Sequence, residues 1–581
     1  MCIVLSLCVL QVGSDAIIAK CRKKGILFED PEFACTNAML FPREEDGEEV
    51  VWKRPSELNP AAQLFVGGVE GGDVVQGELG DCFFLGALSM VAVRPSLLEK
   101  CIAKASPDVG VYVFRFYKYG KWHEVMIDDR LPTVHDKLIY ARCKSDEEYW
   151  VPLIEKAYAK LHQGYFNLDG GSVQNAMVDL TGGASEKIIV GGEATDTKLE
   201  RDNLWQKFLQ ADREEWLMGC AMTGEGATES DTGSGILLNH AYGVMRAVDF
   251  EGNRLLRVRN PWGKGEWTGA WSDGAAEWTP AREAALEQTQ ADDGTFFIEF
   301  SDFIEQYNKF YICRLYDDET GEKWLWNQCQ GAWQGDMTGG SVRCPTWTNN
   351  PQFSIATDTP DTQVFISLTQ PEVLLSEKEK NPQKTMARMG FVLLRVQGAN
   401  VRKRDLRAED IVYQSPYVPN REIAAEVTLE PEESYVIVPT CLEAGEEGHF
   451  VLTVYSEHTI ALKDTLDIVD NVSQDSGEWN KATGSDTPNG PNWRNLKQFS
   501  LHLQAAPGIN GKIPVSLQLK NKNAAGKNKN KNAASAADLP AMGMYVFQDP
   551  PLPLVTDIGT AEVMGISLFR NAPEVFLDLE L

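Results

Sequence analysis

The sequence predicts two architectures in one chain: a mixed α and β part from about residue 25 to 318, and an all-β part after it. Three observations carry this. Helix-like and strand-like segments alternate through the first part. Beyond about residue 320 the helix signals fade, and short β-rich runs follow one another between turn residues. The β-rich part also repeats itself once at a fixed spacing.

The chain opens on an extension, residues 1–24. Its first stretch, Met1 to Val12 (MCIVLSLCVLQV), is apolar but too short to span a bilayer, and no Lys or Arg precedes it. It reads either as a secretory h-region or as a docked helix. Val111 to Tyr117 (VYVFRFY) and Leu255 to Val258 are strand-like. Leu153 to Leu161 (LIEKAYAKL) joins helix formers to apolar residues at helical spacing. In the second part, Gln363–Leu368, Phe391–Val396, Tyr435–Val438 and Phe450–Tyr455 are successive strands, the pattern of a β-sandwich.

The repeat pairs Gly331–Phe353 with Gly477–Phe499 at an offset of 146 residues, with Trp333/Trp479 and Trp347/Trp493 among the seven coincidences. It predicts two copies of one sandwich, at 319–460 and 461–581. The same extent in the second copy would run past the last residue, so that copy is expected to be abbreviated. Within it, Lys520 to Asn532 (KNKNAAGKNKNKN) holds five lysines and no acid. That composition predicts a disordered, solvated loop, with a basic membrane-binding loop as the rival.

A chain of 581 residues suggests three or four domains at about 150 residues each. Hydrophobic residues at 43% and charged residues at 24% are ordinary for globular protein. The formal charge of −29 argues against nucleic acid as a partner and leaves carboxylates that suit calcium. Twelve scattered cysteines without a CxxC pair fit a reducing, cytoplasmic compartment.

The chemistry concentrates in Gln76 to Leu88 (QGELGDCFFLGAL). Cys82 begins an apolar helical run, where the helix dipole favours the thiolate; Gln76 could donate to an oxyanion beside it. A buried, inert cysteine is the bland alternative. His240, in LLNHAYGV, could serve as base. Asn260, in RVRNPWG, could orient the imidazole, with Trp262 covering their bond. Alone, His240 reads as a core histidine and Asn260 as the start of a turn.

Together QGELGDC, NHAYGV and RNPWGKGEWTGAWSD resemble the catalytic signatures of calpains, calcium-dependent papain-like cysteine proteases. ILFEDPEF, WKRPSEL, EKAYAKLHQGYFNLDGG and LTGG fit the same family, and GAW…TGG…NNPQF is similar to its C2-like sandwich. The resemblance implies a two-lobed papain-like core, with lobes at 25–180 and 181–318, followed by two C2-like sandwiches. It implies Cys82 as nucleophile, His240 as general base and acid, Asn260 as orienting group and Gln76 as oxyanion donor. It implies calcium on Val66, Gly68, Asp73 and Glu155 in the first lobe, and on Glu266, Asp273 and Asp293 in the second. Protein substrates follow, as does phospholipid or protein binding by the sandwiches. Without an EF-hand loop, no small-subunit partner is implied.

Three positions depart from the family pattern. Thr295 stands where a Glu is usual, which should weaken the second calcium site. Phe83 replaces a tryptophan and should keep the packing. Asn239 replaces a glycine, a tolerable change if that position has positive φ. Two rival functions remain at this point: a catalytically silent scaffold acting through its C2-like modules, and a transglutaminase, whose third group is usually Asp.

Overall fold

The chain divides into two units, Met1–Gly321 with Pro371–Thr385, and Glu322–Gln370 with Met386–Leu581. The computed structural model describes residues 13–42 and 50–464, except 70, 191–196, 225–229, 317–323, 382–383, 397–401, 405 and 432. Beyond 464 it describes the strand segments 514–520, 541–542, 545–548, 562–566, 570–571 and 574–580.

The first unit begins with the helix Ser14–Lys24, closed by Gly25 in the left-handed conformation at φ 62°. Ile18 and Cys21 bury against Phe28, Val109, Val111 and Val113, so this part of the extension is a docked helix. Met1 to Val12 lies outside the described residues. At the centre of the unit is the helix Cys82–Ala92, buried along its whole length. It is apolar on every face, as a central helix must be. It packs between the helix Val173–Thr181 and the strand His240–Phe250. The expected helix around Leu153–Leu161 runs from Trp150 to Leu161, and the expected strand at Val111 extends to Lys118.

That helix sets two buried aspartates apart. Lys156 Nζ lies 2.5 Å from Asp128 Oδ1, with both side chains fully buried. Glu155, one residue earlier, faces Asp81 instead.

Residues after 183 build a six-stranded antiparallel sheet. Its spatial order is Thr295–Glu299, Asn253–Arg259, His240–Phe250, Leu217–Met222, Lys309–Arg314 and Ala184–Ile189. Gly243 pairs with Arg259. This register sets His240 and Asn260 at the same end of neighbouring strands.

The second unit is a β-sandwich over residues 325–464. One sheet orders Leu325–Trp333, Gly448–Ser456, Thr362–Thr369 and Glu422–Leu429. The other orders Ile411–Gln414, Met389–Val396, Ser434–Cys441, Phe353–Thr357 and Ile460–Asp464. Alternate residues such as Val364, Ile366 and Leu368 meet Phe391, Leu393 and Trp333 in one core. The strands expected at 363, 391, 435 and 450 are all present. Farther on, three antiparallel ribbons are described, pairing Pro514–Lys520 with Glu574–Glu580, Ala541–Met542 with Arg570–Asn571, and Tyr545–Gln548 with Glu562–Ile566. The second half of the repeat, 477–499, and the Lys/Asn loop after Lys520 lie outside the described residues.

Candidate active site

Cys82 is the first residue of its helix. One turn later, Gly86 lies beside the neighbouring strand: a side-chain carbon there would be in ordinary contact, 3.8 Å from Ala241 O and 3.9 Å from the Tyr242 carbonyl carbon. Cys82 and His240 are therefore the leading residues of two elements packed on one another. Burial alone pushes a thiol up, as for Cys101, raised to about 12. Cys82 differs in standing at the positive end of a helix.

The amide of Asn260 is held in one orientation. Trp262 N donates to its Oδ1 at 3.0 Å, and its Nδ2 donates to Gly265 O at 3.0 Å. The same Oδ1 lies 2.8 Å from His240 Nε2. An amide oxygen only accepts, so Nε2 carries the hydrogen and the Nδ1 lone pair is left for proton transfer. His240 and Asn260 are buried, and the Trp262 ring lies 5.1 Å from the imidazole. Asn239 has φ 58°, which is the left-handed conformation its glycine-like role requires, and its Oδ1 accepts from Gly224 N at 3.1 Å.

Gln76 crosses between the lobes through its backbone, donating to Pro261 O at 3.0 Å. Its side-chain nitrogen donates to Leu79 O at 2.7 Å, and that amide has a second hydrogen to give. Gly77 beside it lies against the Tyr140 carbonyl, with no room for a side chain. The Phe83 ring lies equally close under Gly171.

Arg259 makes a second crossing. Nη1 donates to Asp293 O and Thr295 Oγ1, each at 3.0 Å, while Nη2 donates to Gly72 O at 3.0 Å and Val74 O at 3.2 Å.

The expected calcium ligands fall into three places. In the second lobe Glu266, Asp273 and Asp293 lie together. Glu266 Oε1 accepts from Asp293 N at 3.0 Å and Gly294 N at 2.8 Å. Burial pushes its carboxyl up to about 7, and repulsion from Asp273 and Asp293 adds to this. Asp273 Oδ2 is buried with no hydrogen-bond partner. In the first lobe, Asp73 sits where Val74 pairs with Cys143. Glu155 is not there. It is fully buried, accepts from Ala141 N at 3.0 and 3.2 Å, and faces Asp81.

The acid that does join Asp73 is Glu148. Its Oε1 accepts from Val66 N at 3.0 Å, and burial followed by repulsion from Asp73 pushes its carboxyl up. Gly68 follows two residues on, at φ 123°. The sequence held a signal for this: Glu155 falls at helical spacing from Val151 and Tyr158, on the buried face. Among the described residues, no three His, Cys, Asp or Glu side chains gather closely enough to count as a metal centre. The donors in both places are hard oxygens, the kind calcium takes.

A cysteine at a helix start, packed on a strand that begins with a histidine held by an asparagine from the end of the neighbouring strand, is the arrangement of the cysteine peptidases. Residues 28–314 match the calpain family cysteine protease model, and residues 329–455 match domain III of the calpain large subunit. The chain is 36% identical to rat Calpain-8 over 79% of its own length and 69% of that protein's. It is 33% identical to mouse Calpain-5, over 76% and 74%. A maize calpain-type cysteine protease, DEK1, shares 34% identity over 77% of this chain and 22% of its own. The chain belongs to the calpain family.

Proposed function

We propose that this chain is a calcium-dependent endopeptidase making limited cuts in cytoplasmic proteins, with Cys82, His240 and Asn260 as its triad. The observation that carries the reading is the fixed Asn260 amide, which dictates the imidazole tautomer a cysteine peptidase needs. The Cys82 thiolate attacks a peptide carbonyl, and its own N–H with the spare hydrogen of Gln76 receives the oxyanion. His240 protonates the leaving amine. It then takes a proton from water as water releases the acyl group, and the thiol is regenerated.

Asp73 and Glu148, with the Val66 and Gly68 carbonyls, would hold one calcium; Glu266, Asp273 and Asp293 would hold another. Bound calcium would neutralise these acids and favour the joined arrangement of the lobes. Buried thiols outside any disulfide, such as Cys21, Cys101 and Cys143, support a reducing setting. Phospholipid or a protein partner is proposed for the β-rich unit by resemblance.

Casein cleavage in the presence of calcium, lost on Cys82→Ala and on chelation, is the expected result. Cleavage that survives Cys82→Ala would sink the reading. A folded chain without cleavage would point to the scaffold alternative.

A further inference from the structure

The segment Pro371–Thr385 belongs to the first unit, although in sequence it lies between two strands of the sandwich, Thr362–Thr369 and Met389–Val396. Two polar anchors fasten it there. Glu372 Oε2 lies 3.0 Å from Lys118 Nζ and 3.6 Å from His162 Nε2. Lys118 is mostly buried, and its Nζ also lies 2.6 Å from Asp179 Oδ2. Farther along, Ser376 N donates to Asn167 Oδ1 at 2.8 Å, across 209 positions of sequence. Ser376 stands in the first turn of the helix Leu375–Lys380, where a backbone N–H has no partner within its own helix.

Asn167 is buried, and both ends of its amide are used. Its Nδ2 donates to His162 O at 2.7 Å, so the side chain bridges the end of the helix Trp150–Leu161 to the segment. Just beyond it in the chain, Gly170 N donates to Gly80 O at 2.9 Å. A side-chain carbon on Gly80 would overlap Asp169 Oδ1, and one on Gly171 would overlap the Phe83 ring. The loop from Asp169 to Gly171 therefore backs the chain on both sides of Cys82. Contacts this close pass a shift of the loop on to Gly80 and Phe83.

We propose that Asn167 is a positioning residue for Cys82, and that the stretch from Glu372 to Ser376 is a strap that holds Asn167 in place. The inference rests on Cys82 being the nucleophile, and it gives the placement of that sulfur a source in a distant part of the sequence. With the Ser376 N–H withdrawn, Asn167 keeps only its bond to His162 O. The loop that follows it is then free to move, and the Cys82 sulfur and N–H lose their alignment for attack. Asn167 and Ser376 act through Cys82; neither touches substrate.

The test measures peptide hydrolysis together with the rate constant for alkylation of Cys82 by iodoacetamide. It uses the full chain with calcium, and alkylation is read by mass on the Cys82 peptide. Asn167→Ala removes the bridge. Ser376→Pro removes the N–H in a first helical turn, where proline is tolerated, and Ser376→Ala keeps that N–H. In Asn167→Ala and Ser376→Pro, kcat and the alkylation rate constant should each fall about tenfold with KM changed less than about twofold, while Ser376→Ala stays at wild-type values. A merely structural role would lower the melting temperature and leave folded molecules alkylating at the wild-type rate. That result overturns the proposal, as does a wild-type kcat in Ser376→Pro. Should Asn167→Ala fail to fold, the two Ser376 variants decide. Failure of the underlying reading looks different: peptide hydrolysis would then survive Cys82→Ala.

Discussion

Asp81 and Asp128 lie in the same lobe, and both are fully buried. Burial alone would push both up. Asp81 rises to about 7, while Asp128 is held at about 2 because Lys156 and Arg130 outweigh its desolvation. The helix Trp150–Leu161 decides the outcome at Asp128, toward which it turns Lys156. At Asp81 burial decides it, and the hydrogen bonds that lower it do not offset burial. Burial alone therefore does not set the charge of an acid; a cation supplied by the packing can reverse it.

The strongest way to break this comparison is Lys156→Met, which strands Asp128 without its buried partner. A loss of about 3–5 kcal/mol is expected, measured by denaturant unfolding. Asp128 also predicts an acid limit. Its folded value lies below the ordinary one, so its contribution is present above about 4 and is lost as pH falls through about 2.

Arg259 extends the comparison to a buried cation whose Nη1 and Nη2 are held by carbonyl and hydroxyl oxygens. Arg259→Met should lower kcat/KM for peptide hydrolysis about a hundredfold, roughly 2.7 kcal/mol, because both lobes lose the same anchor. For Asp81 the sign is opposite to that of Asp128. Its folded value is raised, so its contribution is present below about 4 and is lost as pH rises through about 7. Thermal melting should show that decline in wild type and not in Asp81→Asn.

The half-buried acids of the second lobe are the intermediate case. Asp273→Asn should raise the calcium needed for half-maximal hydrolysis about tenfold, near 1.4 kcal/mol. Thr295→Glu should lower it, by roughly threefold, by restoring a carboxylate.

The fold was largely legible in the residues, since the β-rich runs of the second unit are short, apolar and separated by turn residues, and the Cys82 helix is apolar but for Ser89. So was the pairing of the His240 and Asn260 segments, which the strand register brings side by side. Glu155 was not. Motif position placed it at a cation, whereas its spacing from Val151 and Tyr158 turns it into the core. Glu148 escaped notice because its role depends on the loop that brings Val66 and Asp73 to it, a contact between distant stretches of chain. Arg259 is the same kind of case, with all four of its acceptors contributed by other segments.

Gly77 has a consequence for reading natural variation. A methyl group at that position would overlap the Tyr140 carbonyl and force the Gln76 loop aside. An allele altered only there would keep Cys82, His240 and Asn260 and still displace the loop between them. Screens that look at those three residues alone would count its carriers as intact.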